Sequence, residues 1–145
     1  DKQFMKDKSI KIIFDTNVWV SFLIGKRLGI IKEYISNEYI KLITTNQLLK
    51  ELKIVTTRPM LKKYFPTESV NELIELLETI SDNIEITPKN FINRDPKDNF
   101  LLDLIEFSKA DYLVTGDKDL LIHNPFKSAE IISPAKFELI LKSLN

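Results

Sequence analysis

Ile10-Lys11-Ile12-Ile13-Phe14 is a short apolar, β-branched run that passes directly into Asp15-Thr16-Asn17. A near-continuous apolar run of this length is the pattern of a strand buried on both faces of a parallel sheet. An acid directly after such a strand has few structural excuses, because a carboxylate is costly to take out of water. The pattern then repeats along the chain. Val18 to Tyr34 carries apolar residues at helical spacing, with Gly25 and Gly29 marking a bend or break. Tyr39 to Thr44 reads as a second strand, and Thr45 as the N-cap of a helix around Gln47 to Leu52. Arg58-Pro59 interrupts, a short helix follows through Tyr64, and Pro66 ends it. Ser69-Val70-Asn71-Glu72 has capping-box spacing ahead of the periodic Val70, Leu73, Ile74, Leu77 and Ile80.

The second half continues the alternation. Asn83 to Thr87 reads as a third strand, Pro88 to Pro96 as a loop, and Asp98 to Lys109 as a well-buried helix. Tyr112 to Thr115 is a fourth strand ending in Gly116, Asp117 to Ile122 a helical turn, and Glu130 to Ile132 a fifth strand. Ser133-Pro134 caps the last helix with proline at its first position. Strands spaced by helices predict an α/β fold in three layers, a central parallel sheet of about five strands flanked by helices. Residues 1–9 read as a flexible N-terminal extension and 10–145 as one domain.

Composition narrows the chemistry. The 145 residues include 21 Lys+Arg and 21 Asp+Glu, so the formal net charge is zero and any nucleic-acid contact must use a local patch. Cysteine is absent and histidine occurs once. Disulfides, thiolate nucleophiles, zinc–thiolate centres and multi-histidine sites are thereby excluded. No apolar run reaches the roughly 18 residues that span a bilayer. The first residues lack the apolar stretch of a signal peptide, so a cytoplasmic protein with no membrane contact is expected.

Carboxylates must then carry any chemistry, and their positions matter. In an open parallel sheet the ligand site lies at the carboxyl ends of the strands. Asp15 follows the first strand, Asp117 the fourth, and Asp98 opens the helix before the fourth strand; Glu51, late in the helix after the second strand, can add another acid. Each also has a plain structural reading: Asp117 as a helix cap, Asp98 as a complement to the helix dipole, and Glu51 as a solvated helix residue. Gathered at one edge, carboxylates repel one another and call for a cation or protons. Oxygen ligands alone point to a hard ion, Mg²⁺ or Mn²⁺, which suits phosphoryl chemistry. Asp103, about 140° around the helix from Asp98, is expected outside the cluster. Asp95 reads as a cap, His123 as a loop residue, and Trp19 and Phe22 as core. Lys26-Arg27, Arg58 and Lys62-Lys63 are candidate phosphate contacts.

Ile12 to Asn17, Glu51-Leu52, Asp95-Pro96-Lys97-Asp98-Asn99-Phe100-Leu101 and Ala110 to Leu120 resemble, in order and spacing, the successive motifs of PIN-domain nucleases. The resemblance runs from Ile10 to Leu141 and is nearest to the stand-alone PIN proteins described as toxins of toxin–antitoxin pairs. It implies a Rossmann-like PIN fold over 10–145 and a Mg²⁺- or Mn²⁺-dependent ribonuclease that hydrolyses RNA in line, with no covalent enzyme intermediate. By position, Asp15, Glu51, Asp98 and Asp117 would form the catalytic, metal-holding quartet. Asp119 would be an accessory metal ligand, and Asn17 and Thr115 polar supports. RNA as substrate, a cognate antitoxin and a homodimer are the partners it implies. The alternative is a catalytically weak PIN fold serving as an RNA-binding or protein-interaction module. A haloacid-dehalogenase-type phosphatase would need a second acid where Asn17 stands. A dinucleotide-binding domain would need a glycine-rich turn that the sequence lacks.

Overall fold

The computed structural model describes residues 9–144. Apart from Ser9, the expected N-terminal extension therefore lies outside the described residues; the Ser9 hydroxyl donates to the Glu38 carbonyl at 2.6 Å.

The elements in chain order are β1 (Ile10–Phe14), α1 (Thr16–Ile24), α2 (Leu28–Ser36), β2 (Ile40–Thr44), α3 (Asn46–Thr56), α4 (Pro59–Lys62), α5 (Thr67–Thr79) and β3 (Asp82–Asn83). A 3-10 turn (Pro96–Asp98) then leads into α6 (Asn99–Ser108), β4 (Tyr112–Val114), α7 (Lys118–Leu121), β5 (Glu130–Ile132) and α8 (Pro134–Ser143). The strands form one sheet in the order β3-β2-β1-β4-β5, every pairing parallel.

Why this sheet is buried on both faces follows from the period of two along β1. Ile12 and Phe14 face one layer and Ile13 the other, and all three are fully buried. On the Phe14 side, Trp19, Phe22, Leu52, Leu73, Leu77 and Phe137 complete the core. Phe14 meets Trp19, Phe22 and Phe137 edge-on at centroid distances of 4.9, 5.1 and 5.0 Å, the geometry aromatic quadrupoles favour. Trp19 and Phe22 are thus core residues. On the Ile13 side, Leu113 and Ile131 pack against Leu101, Leu102, Leu104 and Ile105 of α6. The three-layer expectation holds.

Several boundaries differ from the sequence reading. The stretch 18–34 breaks where Gly25 predicts, at Gly25-Lys26-Arg27, with Lys26 at a left-handed φ of 56°; Gly29, expected to mark a break as well, instead lies inside α2. The third strand covers Asp82–Asn83 rather than Asn83 to Thr87. It pairs with β2 at Ile43 and Thr44, and Ile84 donates one more bond to the Thr44 carbonyl at 2.9 Å. There β2 turns into α3 and the partner strand ends. The helix expected from Ser69 starts at Thr67. Its first turn is built on the Pro66 carbonyl, which accepts from Ser69 and Val70, so Ser69 caps nothing. Thr45 occupies the N-cap of α3 as expected, but without a side-chain cap bond.

Candidate active site

The chain leaves β1, visits β2 and β3 on one side, then crosses to β4 on the other. The strand order therefore reverses between β1 and β4, the position where open α/β sheets open a crevice beyond their strand ends. Phe14 pairs with Val114. This register sets Asp15 beside Thr115, although 100 residues separate them.

Asp15 is 6% exposed and caps α1, its Oδ1 accepting the Val18 N–H at 2.8 Å. Its Oδ2 accepts the Thr115 hydroxyl. That hydroxyl in turn accepts the Asp117 N–H at 3.0 Å, so Thr115 joins the ends of β1 and β4. Burial raises the Asp15 carboxyl above its ordinary value; hydrogen bonds from Thr115, Val18 and Asn17 oppose this, and the nearby Asp117 charge adds to it. Asp117 caps α7 by accepting the Asp119 N–H at 2.9 Å. Glu51, on α3, accepts the Thr16 hydroxyl at 2.9 Å. Asp98 stands at the N-cap of α6 but makes no side-chain cap bond there. Its carboxyl is pushed up to about 6, first by burial and then by the charges of Asp95, Asp117 and Glu51, with Lys97 opposing.

Asp15, Glu51, Asp98 and Asp117 line one cleft of about 510 Å³, together with Asn17, Asp95, Arg58 and Lys97. Thr115 lies behind Asp15, fully buried. Asp119 is not in the lining; its Oδ1 lies 3.8 Å from Arg94 Nη1, and its N–H donates to the capping Asp117 carboxylate. Asp95 caps the 3-10 turn through the Lys97 N–H at 3.2 Å and also borders the cleft. Asp103 stays outside the cleft, as expected from its angle on α6. It is nevertheless buried and holds the preceding loop, accepting the Lys89 and Asn90 N–H groups at 3.1 and 2.8 Å and the Asn90 side chain at 2.9 Å. His123 Nε2 lies 3.1 Å from Asn93 Oδ1, a loop contact.

Sequence reasoning missed Thr16, Asn93 and Asn99. Thr16 is readable only as the neighbour of Asp15, since its bond to Glu51 crosses 35 residues. Buried Asn93 donates its N–H to Asn99 Oδ1 and its amide to the Asp95 carbonyl, both at 2.9 Å, and so fixes the approach to the 3-10 turn that carries Asp98. Such tertiary pairings leave no periodic trace.

The donor set is made of oxygens and is short of positive charge: five carboxylates share the cleft with two cations, and Lys97 already lies 3.7 Å from Asp95. This fits a hard cation. Among the described residues no three acidic or histidine side chains are gathered closely enough to enclose a metal. An ion held by one or two carboxylates, keeping several waters, is the Mg²⁺ habit.

A family model described as PIN domain matches residues 11–119, well over half of the chain and a span that contains Asp15, Glu51, Asp98 and Asp117. The chain belongs to the PIN-domain family, whose members are generally nucleases and usually use divalent metals. It is also similar to the uncharacterized protein MJ1680 of the archaeon Methanocaldococcus jannaschii. The two are 35% identical over 122 residues, covering 81% of this chain and 77% of the relative. No helix among the described residues is long and apolar enough to cross a membrane.

Proposed function

We propose that this PIN domain is a Mg²⁺- or Mn²⁺-dependent endoribonuclease. The observation that carries the reading is the convergence of Asp15, Glu51, Asp98 and Asp117 on one cleft at the strand-order reversal, with Asp15 and Asp98 both driven toward protonation. Structural caps alone do not gather four carboxylates in one crevice, where their repulsion is unfavourable without a cation to offset it. When bound, the ion would supply charge compensation at the phosphate oxygens and lower the pKa of water.

The chain's own residues divide the remaining work. Thr115 holds one oxygen of Asp15 and the α1 N-terminus holds the other, so this carboxylate keeps a fixed orientation. Thr16 holds one oxygen of Glu51. Asp98 and Asp117 line the same cleft as further candidate ligands, while Asn17 borders it as a polar support. Asp119 is a weaker candidate ligand, given its place beside Arg94.

Cleavage of a labelled single-stranded RNA tests the reading directly. Activity should appear with Mg²⁺ or Mn²⁺, stop with EDTA, and fall by at least about a hundredfold in Asp15→Asn or Asp98→Asn. Full activity in EDTA, or in Asp98→Asn, would leave a binding module or another chemistry. The toxin role, with its antitoxin and homodimer, rests on the resemblance. Growth arrest on induced expression, relieved by the product of a neighbouring gene, tests it.

A further inference from the structure

We propose that Arg58, Lys62 and Lys63 form a phosphate-binding track that leads single-stranded RNA into the acidic cleft; the proposal rests on the ribonuclease reading above. A polyanion cannot approach five carboxylates without help, and metal ions at the centre do not cover the route in. Of the two cations lining the cleft, Lys97 is engaged by Asp95, whereas among the described residues no carboxylate pairs with Arg58. Its planar guanidinium suits a phosphate, which it can grip with two parallel N–H bonds.

The track continues outward through α4. The Lys62 N–H donates to the Arg58 carbonyl at 2.9 Å, so the two residues stand one helical turn apart. Lys62 and Lys63 are exposed and, among the described residues, also lack carboxylate partners. The Lys63 ammonium lies 5.1 Å from the centroid of the half-exposed Tyr64 ring, which places an aromatic face beside the lysines. Between Glu51 and Glu68 the chain carries four cations and no acid, in a protein whose formal charges sum to zero. That local excess is the kind of patch which steers a nucleic acid onto a neutral molecule. The occupant is a single strand because the exposed Tyr64 ring beside Lys63 offers a face on which an unpaired base can stack, which a paired base in a duplex does not reach.

The test is anisotropy of a short labelled single-stranded RNA across a salt series with Mg²⁺, in an Asp98→Asn background that keeps the RNA intact. Wild-type cleavage is followed in parallel. Arg58→Gln/Lys62→Gln/Lys63→Gln should weaken binding by at least about tenfold at low salt and flatten the log–log salt slope by about 2, at about 0.7 per phosphate contact. A charge-matched control uses three lysines that already sit beside carboxylates, Lys32→Gln/Lys41→Gln/Lys136→Gln. It should bind with nearly the parent slope. If wild type cleaves RNA but the two triple variants bind alike, the track is overturned and the ribonuclease reading stands. If wild type neither cleaves nor binds RNA, that reading fails and the track falls with it.

Discussion

Asp98 is the acid of the cleft whose side chain contributes least to the fold, since it caps nothing and yet is partly buried among like charges. Its folded-state carboxyl titrates near 6, above the ordinary carboxylate value. The folded state therefore holds this proton after the unfolded chain has lost it. Stability falls as pH rises from about 4 through about 6, and the penalty is complete above that. Asp98→Asn should abolish this loss and make the metal-free protein more stable than wild type at pH 7.5, on the order of 1 kcal/mol, because solvent screens a half-open site. Below pH 4 the two should converge. Asp15→Asn should gain less, because the amide would aim a donor at the Thr115 hydroxyl, which already donates to this side chain. Urea melts in EDTA at pH 3.5 and 7.5 give the comparison. An Asp98→Asn protein weaker than wild type at the higher pH would mean that its carboxylate supports the fold after all.

At the scale of elements, the stretch between β3 and the 3-10 turn has no regular structure, yet it delivers Asp95 and Asp98 to the cleft. Two polar anchors hold it: Asp103 on the Lys89 and Asn90 amides, and Asn93 between Asn99, Asp95 and His123. Asp103→Ala leaves two backbone N–H groups without their acceptor and should cost about 1–3 kcal/mol; Asp103→Asn keeps an oxygen there and should cost less than half as much. Hydrogen exchange at Lys89 and Asn90 should accelerate in the alanine variant. Unchanged exchange and stability would show that the loop is held elsewhere. These anchors also explain what the sequence concealed. A strand running into an acid is legible, because the apolar run and the charge adjoin in the chain. The burial of Asp103 is not, because its partners lie 13 and 14 residues away in a segment with no period. The end of β3 was hidden for a related reason: it is set by where β2 stops pairing, not by the alternation of Ile84 and Ile86.

For the whole molecule, strand order does what local pattern could only suggest. The alternation along the chain was enough to place Asp15, Asp98 and Asp117 at one sheet edge, but not to show how closely they approach. The cleft keeps its acids together without enclosing a cation site on its own. Metal binding should therefore couple to folding: the ion meets converging carboxylates in the native state and scattered ones in the unfolded chain. At a hundred times its Kd, a ligand of the folded state adds about 2.7 kcal/mol, which for a domain near 150 residues is several degrees of melting temperature. Mg²⁺ or Mn²⁺ should produce such a rise in wild type relative to EDTA. Asp98→Asn, though more stable without metal, should rise less, so the two proteins draw together or cross as metal is added. NaCl at matched ionic strength separates a bound ion from simple screening, since screening relieves carboxylate repulsion without choosing a site. Equal shifts in MgCl₂ and NaCl, or equal metal-induced shifts in wild type and Asp98→Asn, would mean that the acids share a cleft without sharing an ion.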